Sequence, residues 1–250
     1  MSLRYTVSAI ATGVALSMAA PAIAEPSQDI VLVHGAFADG SGWRGVYDIL
    51  VDEGFNVSIV QEPQTSLADD VAAVNRAVNQ ADGPVVLVGH SYGGQIITEA
   101  GVNPKVSALV YVAAIVPDVG ESITDIFADY PSPTEDAFVP TEDGFLAFNP
   151  EKFHEGFAAD LPAEDAAFMA ASQVLPAAEI LETKNTEAAW RTKPSYGIVA
   201  GEDMAEGAEA ERFLYKRANA EVTEIEGASH AVYISHPQEV ADVIMKAASK

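Results

Sequence analysis

The 250-residue chain has no cysteine, which excludes disulfides, thiolate metal sites and a thiol nucleophile. It is also short of positive charge: 13 Lys and Arg stand against 37 Asp and Glu, a formal charge of −24. A surface of that sign repels nucleic acid and anionic lipid, so neither is expected as a partner. None of the histidines has a metal-ligating spacing such as H-E-x-x-H, and no metal is expected. The apolar run Val7 to Ile23 is short and diluted by Ser, Thr and Gly, whereas a membrane span needs about 20 strongly apolar residues. With Arg4 before it and Ala22-Ile23-Ala24 closing it, residues 1–24 read instead as a secretory signal peptide cleaved ahead of Glu25. The mature chain is then expected to be secreted or periplasmic, free of the membrane, and stabilised by its core alone.

What remains, residues 25–250, is rich enough in apolar residues for one substantial core, and no repeat or linker divides it. Six short β-branched runs read as strands: Asp29 to His34, Phe55 to Val60, Val85 to Val88, Val106 to Ala113, Tyr196 to Ala200 and Glu221 to Ile225. Helical patterns lie between them. In Ser66 to Ala81, Leu67, Val71, Val74 and Val78 recur at helical spacing behind a Ser66/Asp69 capping pair. Another helix starts at Pro237, in the favoured first-turn position, and continues through Val240, Val243 and Ile244, with His236 expected as its cap. Strands alternating with helices imply an α/β protein with a mainly parallel sheet covered on both faces. One interval breaks the alternation. Residues 118–194 show no strand pattern but hold several prolines, many alanines and aromatics from Phe127 to Trp190, and read as an inserted helical cap over a site.

The stretch "VVLVGHSYGGQII" carries the chemistry. Gly89-His90-Ser91-Tyr92-Gly93 matches G-x-S-x-G with a strand before it and a helix after it, so its glycines let the chain turn sharply and expose the Ser91 hydroxyl. A serine needs a base to take its proton and a carboxylate to orient that base. His230 follows the last strand in "GASHAV", and Asp203 follows the preceding strand in "IVAGED". Asp203 is the preferred acid; Glu202 beside it and Asp118, after another strand, compete, because ligands gather at the carboxyl ends of parallel strands. The oxyanion formed on attack needs two N–H donors. Tyr92 offers one, and the "HGAF" loop offers the other, from Ala36 with Phe37 as the alternative. His34 and His90 are expected to bond loops, and His154 stands alone in the cap.

"VLVHGAFADGSGW", "LVGHSYGG", "GED" and "GASH" with a cap between them resemble the α/β-hydrolase superfamily, and the compact layout is similar to its esterase and hydroxynitrile lyase branch. The resemblance implies an α/β-hydrolase fold with a six-stranded sheet and no cofactor. It assigns catalysis to Ser91, His230 and Asp203 and oxyanion binding to Ala36 and Tyr92. It further implies a carboxylesterase, and the apolar cap suggests small to medium hydrophobic esters as its substrates. The plant lyases carry Thr where this chain has Gly35 and Lys where it has Ala231, which counts against cyanohydrin cleavage. Other readings of the same scaffold are a cofactor-free lyase, a carbon–carbon hydrolase and a non-catalytic receptor.

Overall fold

The computed structural model describes Met1, Ser2 and residues 27–249; the signal-peptide assignment lies outside the described residues. Six strands form one sheet: β1 (Asp29–Val33), β2 (Asn56–Val60), β3 (Val85–Ser91), β4 (Val106–Ala114), then β7 (Ser195–Ala200) and β8 (Glu221–Ile225). Their order is β2-β1-β3-β4-β7-β8, and every pairing is parallel. Because side chains alternate across a strand, each one feeds two cores. Ile30, Leu32, Val86 and Val88 face α1 (Arg44–Asp52) and α10 (Pro237–Ala248), packing on Val46, Leu50, Val240 and Ile244. Val31, Val33, Val85 and Leu87 face the other way, toward α2 (Leu67–Gln80) and α3 (Gly93–Ala100), packing on Val74, Val78, Ile96 and Ile97.

The local signals act as the sequence suggests, with one exception. Ser66 sits in extended backbone before α2, and its side chain accepts from the Asp69 N–H, satisfying an otherwise orphaned donor. Pro237 opens α10. His236 occupies the capping position there but makes no side-chain cap; its Nδ1 instead pairs with the Ser235 hydroxyl at 2.8 Å.

Between β4 and β7 the chain builds α4 (Ile123–Asp129), α5 (Pro150–Phe157), α6 (Ala163–Ser172) and the single turn α7 (Glu179–Glu182). This segment is not wholly helical: β5 (Phe138–Pro140) and β6 (Leu146–Phe148) form an antiparallel hairpin that the sequence reading did not anticipate. Three residues are too few to display a period of two, and Gly144, at φ 90°, turns the chain where only glycine is comfortable. Phe138, Phe148, Phe153 and Phe157 pack edge to face or stacked inside the cap. Phe37, from the loop after β1, joins them by stacking on Phe138 with centroids 5.5 Å apart, which ties the cap to the sheet. After β7 come α8 (Ala208–Arg217) and, past β8, the short α9 (Val232–Ser235).

Candidate active site

Ser91 ends β3 and Tyr92 leads directly into α3, so the chain reverses within one residue; Ser91 takes a left-handed φ of 53°. For a residue with a Cβ, this conformation stores about 1–3 kcal/mol of strain. The surrounding glycines make it sterically feasible. A Cβ on Gly89 would lie 2.5 Å from the Gly93 carbonyl oxygen, and one on Gly93 would lie 2.7 Å from that of His34. At Gly35 a Cβ would approach Ser91 Cβ to 2.5 Å, so the backbone here leaves no room for a larger residue beside the hydroxyl.

His230 and Asp203, from the loops after β8 and β7, meet at 2.6 Å between Nδ1 and Oδ2, both fully buried. A carboxylate only accepts, so Nδ1 carries the proton and Nε2 is left free. Asp203 Oδ1 takes two backbone N–H groups, from Ala205 at 2.7 Å and Glu206 at 2.9 Å. Burial pushes the Asp203 carboxyl upward, but the charge and hydrogen bond of His230 outweigh it and hold the group below the usual carboxylate range. The ring of His230 is also fixed sideways: Phe157 meets it edge-on with centroids 4.6 Å apart, and His90 lies at the same separation. His90 Nε2 donates to the His230 carbonyl at 2.9 Å. Burial lowers the His90 pKa well below the imidazole norm, so His90 is a neutral brace.

Ser91, His230, Ala36, Phe37 and Tyr92 share the wall of one small cavity, open to solvent at its mouth. Its other walls are apolar, among them Ile115, Ile123, Phe127, Phe138, Phe148 and Leu181, with Glu206 as the exception. No hydrogen bond joins Ser91 to His230 among the described residues; such contacts commonly tighten only when substrate is bound. The competing acids are elsewhere. Asp118 is held by Arg191 at 2.8 Å and 2.5 Å, which lowers its pKa, and Glu202 is exposed. Of the remaining histidines, His34 Nδ1 bonds the Gly35 carbonyl at 3.0 Å and lies 3.1 Å from buried Glu62, while His154 bonds the Leu161 carbonyl at 2.9 Å.

The structure gives Tyr92 a second role and adds two residues to those the sequence suggests. Tyr92, considered only for its N–H, donates its hydroxyl to buried Asp70 at 2.6 Å and so pins the serine turn to α2. Glu211, in α8, accepts the Ala200 N–H at 3.0 Å beside Asp203. Glu206 lines the cavity itself. Burial raises both glutamates well above the carboxylate norm, and the Asp203 charge adds to the effect. No spacing rule marks them, because their environment is made by residues distant in the chain.

Residues 30–243 match the family model described as "Alpha/beta hydrolase family". The chain belongs to that family. It is 30% identical over 239 residues to Esterase PIR7B of Oryza sativa subsp. japonica, covering 87% of this chain and 86% of that protein. Methylesterase 3 of Arabidopsis thaliana is 25% identical and covers 90% of this chain and 98% of its own length. Among solved structures, the pyrethroid hydrolase from Sphingobium faniae JZ-2 superposes with a TM-score of 0.76 at 24% identity, covering 89% of this chain and 97% of that one. This alpha/beta hydrolase is therefore an enzyme of the esterase branch.

Proposed function

We propose that the enzyme cleaves carboxylic esters of small to medium apolar substrates by covalent catalysis at Ser91. The His230–Asp203 pair at 2.6 Å, with His230 on the same cavity wall as a serine held in a strained turn, is the observation that supports this reading. Ser91 Oγ attacks the carbonyl carbon as His230 Nε2 takes its proton, and the oxyanion is met by the N–H groups of Ala36 and Tyr92. His230 returns the proton to the departing alcohol. Water, deprotonated by the same nitrogen, then releases the acid and restores Ser91. Asp203 fixes the tautomer and stabilises the transient imidazolium. The apolar walls suit hydrocarbon substituents, and relatives named as methylesterases support a small alcohol as leaving group. We further propose that the mature enzyme acts outside the cytoplasm, on the strength of the N-terminal sequence pattern.

A fluorophosphonate probe tests the covalent step. The wild type is expected to label at Ser91 and lose ester turnover. Ser91→Ala is expected to take no label at that position and to lose turnover by at least about 10³-fold with its melting temperature preserved. Turnover by purified Ser91→Ala within about tenfold of wild type overturns the mechanism.

A further inference from the structure

Glu206 has no role in the catalytic steps above, yet it occupies the reaction cavity. It is 4% exposed and lines the cavity together with Ser91 and His230. Its backbone N–H is committed to Asp203, but side-chain Oε2 has no hydrogen-bond partner among the described residues. Of the side chains walling this cavity, only Ser91, His230 and Glu206 present hydrogen-bonding atoms to it, since the Tyr92 hydroxyl is spent on Asp70. A buried polar oxygen without a partner is costly and becomes favourable only when something bonds it.

We propose that Glu206 selects the substrate, favouring esters that carry a hydroxyl group near the scissile carbonyl over their plain alkyl counterparts. The proposal rests on the ester reading given above. A neutral hydroxyl both donates and accepts, so it can satisfy a protonated carboxyl completely, whereas an alkyl chain leaves Oε2 unpaired. An ammonium group suits the site less well, because pairing with it requires Glu206 to ionise. The groups around Glu206 oppose that. Asp203 on the same loop repels a second charge, as does Glu211 where it is ionised, and the Tyr215 hydroxyl of α8 adds no positive charge. Ser91 offers Glu206 a hydrogen bond that only partly counters burial, and His230 is engaged by Asp203. The cap side chains facing the cavity are apolar. Burial and the Asp203 charge therefore favour the protonated form of Glu206, a neutral hydrogen-bonding group in the cavity wall.

The test compares kcat/KM for methyl butanoate, methyl 3-hydroxybutanoate and methyl 3-aminobutanoate in the wild type, Glu206→Leu and Glu206→Gln. The wild type is expected to prefer the hydroxy ester to the plain ester by about tenfold or more. Glu206→Leu is expected to abolish or reverse that preference, and Glu206→Gln, which still donates and accepts, to keep most of it. A wild type without the preference, a preference for the amino ester, or equal loss in the Leu and Gln variants overturns the assignment. Hydrolysis of the plain ester and its dependence on Ser91 report separately on the esterase reading.

Discussion

Asp203 is acceptor-only, with Oδ2 on His230 and Oδ1 on two backbone N–H groups. Replacing it by Asn would put an NH₂ where only acceptors fit. If the amide nitrogen faces the Ala205 and Glu206 N–H groups, donors oppose donors. If it faces His230, Nδ1 must become the acceptor and Nε2 carries the proton, so the ring can no longer take one from Ser91. Asp203→Asn is therefore expected to lower kcat by about 10³–10⁴-fold at neutral pH with little change in KM, measured by steady-state kinetics on a protein of unchanged circular dichroism. Asp118→Asn, by contrast, removes only a partly exposed pair with Arg191 and is expected to leave kcat within about threefold of wild type. A large loss in Asp118→Asn would contradict the assignment of the triad acid to Asp203.

The serine turn depends on how closely α3 approaches the sheet. Gly93 is where that approach is tightest to β1 and its loop: an added Cβ would lie 2.7 Å from the His34 carbonyl oxygen and 2.9 Å from that of Val33. These are backbone atoms that cannot swing aside, so α3 must shift. Gly93→Ala is expected to destabilise the fold by about 1–3 kcal/mol in denaturant titration. It should also lower activity, because Tyr92 and Ser91 move with the helix they lead into. A stable and fully active Gly93→Ala would show that the sheet yields more readily than close packing allows. The cap is anchored differently, through aromatic faces: Phe37, from the loop after β1, meets Phe138 and Phe148, and Phe157, from the cap, meets His230.

For the molecule as a whole, buried acids set the response to pH. Glu62, Glu206 and Glu211 have folded-state pKa values raised chiefly by burial. Between the unfolded carboxylate value of about 4.3 and those raised values, the folded state holds protons that the unfolded chain has released. Stability therefore falls as pH rises through that window. His34 and His90, kept neutral by burial, act in the opposite sense, but only below the free imidazole value of about 6.5. Asp203, held low, loses its stabilising contribution only in strong acid. Above about pH 7 the glutamates act unopposed by the histidines, and a net charge of −24 adds repulsion of the same sign. The melting temperature is expected to fall as pH rises above about 7 at fixed ionic strength, and Glu211→Gln is expected to flatten the decline. A rising or level wild-type curve over that range would mean that these carboxyls are already ionised in the folded protein.

The six sheet strands, α2, α10 and the order Ser91, Asp203, His230 were all legible along the chain, because period, capping and strand-end position are local properties. Boundaries moved by a residue or two, as where β3 runs through to Ser91. The β5–β6 hairpin was not legible, being too short to carry a period, and His236 failed as a cap because its ring found Ser235 first. Which of Asp203, Glu202 and Asp118 would meet His230 could not be decided locally either: all three follow strands, and only chain packing brings Asp203 to 2.6 Å while giving Asp118 to Arg191. Glu206 and Glu211 belong wholly to the tertiary structure. Read as sequence they are ordinary acidic residues of a solvated surface, and only folding removes their water, pushes their carboxyls toward the protonated form and sets Glu206 in the cavity wall.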